Sequence, residues 1–152
     1  GWRLGYTAGP LNVMKAMARL QDHVTSNPVT FTQYAAIEAL KNGADAVEKM
    51  RQAFEKRGMF MAEKLNAIKG VHCHQPEGAF YCFPDVSAHF GRTFGNIQIK
   101  GSADFAKVAL EQFNVALVPG VEFGDDRCIR LSFATSMEQI NKGIDRLEKM
   151  LG

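Results

Sequence analysis

The sequence lacks long apolar runs, has few cysteines and carries little excess charge. No apolar run approaches the roughly 18 residues that a membrane-spanning helix needs, and no stretch has the pattern of a signal peptide. The three cysteines are an odd number without framework spacing, which favours free thiols in a reducing, cytoplasmic compartment. The net charge of +2, with acids and bases interspersed, predicts neither a nucleic-acid partner nor a membrane surface.

What the composition does contain is typical of a globular protein. Hydrophobic residues make up 46% of the chain and charged residues 22%. A chain of 152 residues is long enough to bury a hydrophobic core. We therefore expect one domain, or one domain and part of another.

Two arginines lie within strongly apolar segments near the two ends of the chain. Arg3 follows Trp2, and Arg130 lies between Ile129 and Leu131. Burying a guanidinium there is costly unless it meets an anion, and its planar fork suits phosphate or carboxylate. The alternatives are a structural salt bridge or a solvent-facing position on a half-buried sheet. The pattern therefore indicates two candidate anion sites.

Five short motifs follow one another along almost the whole chain. They are Gly1-Trp2-Arg3-Leu4-Gly5-Tyr6, Thr25-Ser26-Asn27-Pro28, Pro76-Glu77-Gly78-Ala79-Phe80-Tyr81, Val118-Pro119-Gly120-Val121-Glu122-Phe123-Gly124 and Ile129-Arg130-Leu131-Ser132-Phe133-Ala134. Each motif is weak alone. In this order they resemble the C-terminal portion of a class I/II (fold type I) aminotransferase dependent on pyridoxal 5'-phosphate, closest to the bacterial aspartate aminotransferase-like branch.

The resemblance implies a role for several residues. Arg3 would bind the cofactor phosphate, and Arg130 would fork onto the α-carboxylate of the substrate. Phe80 would border the substrate pocket. Asn27 or Ser26 would contact ligand from a loop near the dimer interface. The implied partners are an amino acid, a 2-oxo acid and a second copy of the chain in a homodimer.

The resemblance also implies which groups these 152 residues do not contain. The Schiff-base lysine, the aspartate that pairs with the pyridine nitrogen and the ring-stacking aromatic residue would all precede Arg3, so no catalytic residue is predicted. The ten lysines mostly fall on polar helix faces or in turns. We expect an active parent enzyme but a chain that cannot transaminate alone. The alternative is a non-catalytic module that binds carboxylates or oligomerises.

Hydrophobic periodicity predicts an α/β protein with five helices. Pro10 should open the first helix, a Thr30–Gln33 capping box the second, Ser102 a later one and a Ser136–Gln139 capping box the last. A long helix is expected over 45–69. Strands are expected over 2–7, 71–74, 79–83, 115–118 and 129–133.

The resemblance further implies two domains. Residues 1–43 would be the C-terminal remnant of the large cofactor-binding domain, comprising its last strand and helices. Residues 44–152 would be the small C-terminal domain, a two-layer α/β sandwich. Separated from the rest of its sheet, the strand at 2–7 should associate or fray.

His72, His74 and Cys82 are candidate zinc ligands, because the two histidines share one face of a predicted strand. The strand pleat would turn Cys73 away from the two histidines, and no second Cys/His pair has ligand spacing, so no metal is predicted. Cys82 and Cys128 are instead interpreted as small core residues.

The segment Asp125-Asp126-Arg127 departs from the resemblance. It is more charged than the glycine-containing turn usual there, which could alter how Arg130 is presented.

Overall fold

The computed structural model describes residues 2–152 and divides into two compact units. One unit ends at Lys49 and the other spans Met50–Gly152. The division falls within the long third helix rather than at its start. The assignment of residues 1–43 to a large domain and of 44–152 to a small domain stays a prediction.

The first unit consists of helices. They are α1 (Leu11–Val24), α2 (Thr30–Asn42) and the start of α3 (Ala44–Ala67). Pro10 directly precedes α1, as expected, and its carbonyl accepts from the Met14 N–H at 3.0 Å.

The predicted Thr30–Gln33 capping box is wrong. Val29 is the N-cap of α2, and no side chain caps this end. Thr30 therefore already lies inside the helix. The Gln33 side chain instead donates to the Pro28 carbonyl at 2.8 Å, and the Thr32 hydroxyl donates to the Val29 carbonyl at 2.6 Å.

The predicted strand at 2–7 does not form. A strand requires a neighbour that pairs with its backbone N–H and C=O groups, and the described part of this unit contains no strand. Arg3 has φ of 57°, which interrupts an extended backbone. Its side chain is exposed rather than buried, and Trp2 meets the ring of Phe31 edge-on with centroids 5.6 Å apart.

The second unit combines short antiparallel strands with helices, which confirms the predicted α/β class. Three strands form a sheet in the order β1-β5-β4, so β5 is central. A separate hairpin is made by two more strands. The elements are β1 (Tyr81–Cys82), β2 (Thr93–Phe94), β3 (Ile97–Gln98), α4 (Ser102–Phe113), β4 (Val118–Pro119), β5 (Ile129–Ser132) and α5 (Met137–Leu151), with 3-10 turns at Ser87–His89 and Gly120–Phe123.

The predicted strands of this unit are shorter than expected: the strand predicted over 79–83 is formed only at Tyr81–Cys82, and that over 129–133 ends at Ser132. The segment 71–74 forms only one isolated β-bridge, between His72 and Asp85. The residues on either side of His72 do not extend this bridge into a strand. The strand expected at 115–118 begins only at Val118. The core that joins this sheet to α3, α4 and α5 includes Met61, Leu65, Phe105, Val108, Ile129, Leu131, Ile144 and Leu147.

The last helix follows its sequence pattern closely. The Ser136 hydroxyl accepts from the Gln139 N–H at 3.2 Å, which confirms that capping contact. The apolar residues Ile140, Ile144 and Leu147, spaced for one face of the helix, are buried. Leu110 of α4 is 54% exposed.

Gly58 marks a close approach between α3 and the segments packed against it. A Cβ at this buried position would lie 3.0 Å from Cζ of Phe133 and 3.1 Å from Cγ of Pro76. A side chain at position 58 would therefore force Phe133 or Pro76 to shift. Gly143 of α5 has no heavy atom within 4 Å of the equivalent point.

These two glycines should respond oppositely to alanine. Gly143→Ala should raise the free energy of unfolding by about 0.5–1 kcal/mol through helix propensity. Gly58→Ala gains the same amount but overpacks the contact with Phe133, which typically costs about 1–3 kcal/mol, so we expect a net loss of about 1 kcal/mol. Urea unfolding followed by circular dichroism measures both. Equal stabilisation by the two substitutions would contradict the packing role of Gly58.

Candidate carboxylate-binding site

Arg130 lies on the central strand β5, and its guanidinium contacts two aromatic rings. Its Cζ is 4.4 Å from the ring centroid of Tyr81 and 4.3 Å from that of Phe123. Tyr81 comes from β1, which pairs with β5, and Phe123 ends the 3-10 turn that follows β4. The side chain of Arg130 is therefore fixed from both neighbouring segments. We call Tyr81 and Phe123 the aromatic pair.

The N–H donors of the Arg130 guanidinium are not used by the other residues that the structure describes. Cation–π contacts act through the faces of the rings and leave the N–H groups in the guanidinium plane free. Across residues 2–152, no carboxylate forms an ion pair with the Arg130 guanidinium, and its N–H groups donate no hydrogen bond. The structural salt bridge considered from the sequence is therefore not made by the described residues. A half-buried, oriented guanidinium with free donors is suited to a carboxylate ligand.

Phe80 extends the same aromatic surface. Its ring lies 4.5 Å from that of Tyr81 and 6.0 Å from that of Phe54, and its side chain is 38% exposed. Phe83 meets Phe123 edge-on at 6.1 Å on the other flank. The structure thus brings Phe80 and Arg130 together through Tyr81. It offers an apolar surface beside the guanidinium.

The contacts of Tyr81 and Phe123 with Arg130 were not predicted. Both residues stand in the motifs that carry the family resemblance. Only the pairing of β1 with β5 and the course of the loop after β4 reveal that they meet Arg130.

The other two predicted site residues, Arg3 and Asn27, lie in the first unit. Arg3 lines a cleft of about 720 Å³ together with Thr7, Gln21 and Pro28. No carboxylate pairs with Arg3 among residues 2–152. Asn27 is exposed and donates from Nδ2 to the Pro28 carbonyl at 2.9 Å. The ligand roles assigned to Arg3, Asn27, Phe80 and Arg130 stay predictions.

The charged loop before β5 neutralises part of its own charge. Arg127 donates from Nε and Nη2 to the two carboxylate oxygens of Asp125 at 3.0 and 2.7 Å. This contact lowers the pKa of Asp125 to about 2. Asp125 is therefore engaged by Arg127 and makes no contact with Arg130.

The described residues do not bring the candidate zinc ligands His72, His74 and Cys82 together into a metal site. His72 and His74 are exposed, whereas Cys73 and Cys82 are buried. Hydrogen bonding between the two thiols raises the pKa of Cys82. No group of three or more metal-ligating side chains occurs within residues 2–152, and no helix there is long and apolar enough to cross a membrane.

The α/β fold presents Arg130, whose guanidinium has no carboxylate partner among residues 2–152 and stacks on the aromatic pair. A model of the aminotransferase class I and II family matches residues 1–147. The chain belongs to this family, as its motifs predicted, and members of the family depend on pyridoxal phosphate.

Individual relatives agree with this assignment. The aspartate aminotransferase of Bacillus sp. (strain YM-2) is 44% identical over 152 residues, which are 99% of this chain and 38% of the relative. The aspartate/prephenate aminotransferase of Cereibacter sphaeroides is 41% identical over 149 residues, 97% of this chain and 37% of the relative.

Solved structures show the same fold. An aspartate aminotransferase from Rhizobium meliloti matches with a TM-score of 0.86 and 36% identity, covering 97% of this chain and 37% of that one. An aromatic aminotransferase from Pyrococcus horikoshii OT3 matches with a TM-score of 0.84 and 35% identity, covering 99% and 39%. The chain thus spans less than two fifths of the length of these relatives.

The pair formed by Asp125 and Arg127 should give the loop an acid transition. Because the pKa of Asp125 is lowered, from 3.8 to about 2, its stabilising contribution is complete above pH 3.8 and is lost as the pH falls to about 2. Arg127→Ala should return this pKa towards 3.8, as measured by NMR titration of the Asp125 carboxyl carbon. Arg146→Ala, a charge-matched control, should leave it unchanged. An Asp125 pKa that is the same with and without Arg127 would contradict the assignment.

Proposed function

We propose that the protein to which this chain belongs transfers an amino group between an amino acid, with aspartate as the preferred donor, and a 2-oxo acid. The observation that carries this proposal is the guanidinium of Arg130, oriented by the aromatic pair and unpaired within residues 2–152. Arg130 would bind the α-carboxylate, the part that all amino-acid substrates share. The preference for aspartate is supported by the names of the relatives, several of which are aspartate aminotransferases.

The position of Arg130 explains what it contributes to the reaction. Two parallel N–H···O contacts fix the plane of a carboxylate, whereas a lysine supplies only a point charge. Fixing that plane orients the rest of the amino acid, and such orientation supplies a large part of enzymatic rate enhancement. Phe80 and the aromatic pair place apolar groups beside the ion contact, which would strengthen it by excluding water.

The first unit offers a residue that fits the phosphate of pyridoxal phosphate. Arg3 is exposed, lines a cleft and has no carboxylate partner among residues 2–152. We assign to it the binding of this phosphate, and to Asn27 a contact with the ligand. Bound pyridoxal phosphate would supply the electron sink that amino-group transfer needs.

A homodimer in the cytoplasm is part of the same proposal. The helices of the first unit expose many apolar side chains, including Leu11, Leu20, Phe31, Tyr34 and Leu40. Exposed apolar surface of this extent is typical of protein–protein contacts. The three cysteines are free thiols, as expected in a reducing compartment.

Carboxylate binding by Arg130 can be measured directly on the chain. Titration with succinate should shift the Nε–Hε NMR signal of Arg130. Arg130→Lys should weaken binding roughly tenfold, because a bidentate charge-assisted contact becomes a single one.

Arg57 provides the matched control for this titration. It is also stacked on a ring, with Cζ 5.7 Å from the centroid of Phe54. Arg57→Lys should leave succinate affinity unchanged. If succinate shifts Arg57 as much as Arg130, or if Arg130→Lys binds equally well, the proposed site is wrong.

The 152-residue chain by itself should not transaminate. All ten of its lysines are exposed, so none is in the desolvated setting that makes a lysine a good nucleophile. With pyridoxal phosphate, aspartate and 2-oxoglutarate, we expect no turnover above the protein-free rate. The aspartate aminotransferase of Geobacillus stearothermophilus serves as the active control.

Mass spectrometry after borohydride treatment completes this experiment. Enzymatic turnover together with a pyridoxyl group fixed at one specific lysine would show that the chain is active alone. Scattered labelling without turnover agrees with the proposal.

A further inference from the structure

Ser102 is fully buried in the first turn of α4, and its hydroxyl joins this helix to the loop that precedes β5. The hydroxyl donates to Oδ1 of Asp126 at 2.6 Å and accepts from the Val121 N–H at 3.2 Å. The backbone N–H of Ser102 donates to the same Oδ1 at 2.9 Å. One serine therefore holds the loop at two points on either side of Phe123.

This finding corrects the predicted role of Ser102. The N-cap of α4 is Gly101, and no side chain makes the usual capping bond within the helix. The carboxylate of Asp126 receives the N–H of the first helical turn instead, a position where negative charge is favourable. A Cβ on Gly101 would lie 2.4 Å from Oδ2 of Asp126, so a larger residue there would displace this carboxylate.

The base of the loop closes tightly on itself. The Gly120 N–H donates to the Cys128 carbonyl at 2.9 Å, and the Asp125 N–H donates to the Gly120 carbonyl at 3.2 Å. A Cβ on Gly120 would lie only 2.2 Å from the Cys128 carbonyl oxygen. These contacts close the loop but do not attach the Phe123 end of its 3-10 turn to the rest of the unit.

Few other hydrogen bonds attach the loop to the unit. Among the described residues, the only further hydrogen bond between residues 121–127 and a segment outside residues 120–128 runs from the Val86 N–H to the Arg127 carbonyl at 3.0 Å. Phe123 itself makes ring contacts with Phe83 and Arg130. Besides these ring contacts, the two contacts of Ser102 are therefore the main attachment of the segment that carries Phe123.

We propose that Ser102 and Asp126 are positioning residues that hold Phe123 against Arg130 and thereby set the orientation in which Arg130 meets a carboxylate. Neither residue touches the ligand in this scheme. The effect on carboxylate affinity rests on the proposed function of Arg130, whereas the effect on the geometry of the ring and the guanidinium does not.

Asp126 offers a matched set of variants for the test. Asp126→Ala removes the acceptor of both Ser102 donors, whereas Asp126→Asn keeps an Oδ1 in the same place. Glu122→Ala removes a carboxylate from the same loop without touching Ser102, and so controls for the loss of charge. Circular dichroism and urea unfolding establish that each variant is folded.

The first measurement needs no ligand. Ring currents from the aromatic pair should place the Hε signal of Arg130 upfield of an unstacked arginine in the unsubstituted chain. Asp126→Ala should move this signal downfield, while Asp126→Asn and Glu122→Ala should leave it in place. A general loss of stability would not produce rescue by asparagine.

The second measurement is succinate titration of the same proteins. Losing one ring contact should weaken binding roughly threefold to tenfold in Asp126→Ala, with near-normal affinity in Asp126→Asn. The proposal is overturned if Asp126→Ala keeps both the Hε shift and the affinity, or if the asparagine variant loses as much as the alanine variant.

Two outcomes remain to be separated. If Asp126→Ala does not fold, Ser102→Ala applies the same comparison, because it removes the hydroxyl that bridges Val121 and Asp126. If the unsubstituted chain binds no succinate, the proposed function of Arg130 fails, but the Hε comparison still decides the positioning role.

Discussion

The second unit is organised around the stacking of one guanidinium on two rings. Arg130 stands on the central strand of a three-stranded sheet, so both of its neighbouring strands are needed to bring the aromatic pair to it. β1 supplies Tyr81 directly through its register, whereas β4 leads into the turn that ends at Phe123. The contact holds a charged side chain half-buried without using its hydrogen-bond donors. A permanently charged group can thus be oriented before any ligand arrives.

The core of the second unit fixes the position of β5 and therefore of Arg130. Ile129 and Leu131 alternate with Arg130 along β5 and are buried in the core, together with residues of α3, α4 and α5. This alternation fixes the register of β5, because a slip by one residue would expose the two apolar side chains and bury the arginine. The tight packing of Gly58 against Phe133 holds the strand's continuation against α3. The packing that buries Ile129 and Leu131 therefore also determines where Arg130 is presented.

Sequence reasoning predicted the helices well and the tertiary contacts poorly, for physical reasons. α1 and α5 carry local signals, namely a proline at the start of one and a capping serine with an apolar stripe in the other. The strand at 2–7 failed because its apolar residues satisfy a pattern but find no pairing partner within the described unit. Arg130 could be identified from its motif, yet its ring contacts depend on strand pairing and on a loop shaped by Ser102. Hydrogen bonds between residues 24 positions apart, such as that from Ser102 to Asp126, leave no periodic trace in a sequence.

Gly120 has a consequence for how this loop can change over evolutionary time. Two carbonyl oxygens occupy the space that any side chain at this position would need, so a substitution cannot be absorbed by a small shift of a flexible neighbour. Substitutions of Gly120 should therefore be selected against. Sequence diversity should accumulate instead at the exposed neighbours Val121 and Glu122. A library that randomises those two positions while keeping the glycine would vary the exposed surface of the loop without disrupting the turn.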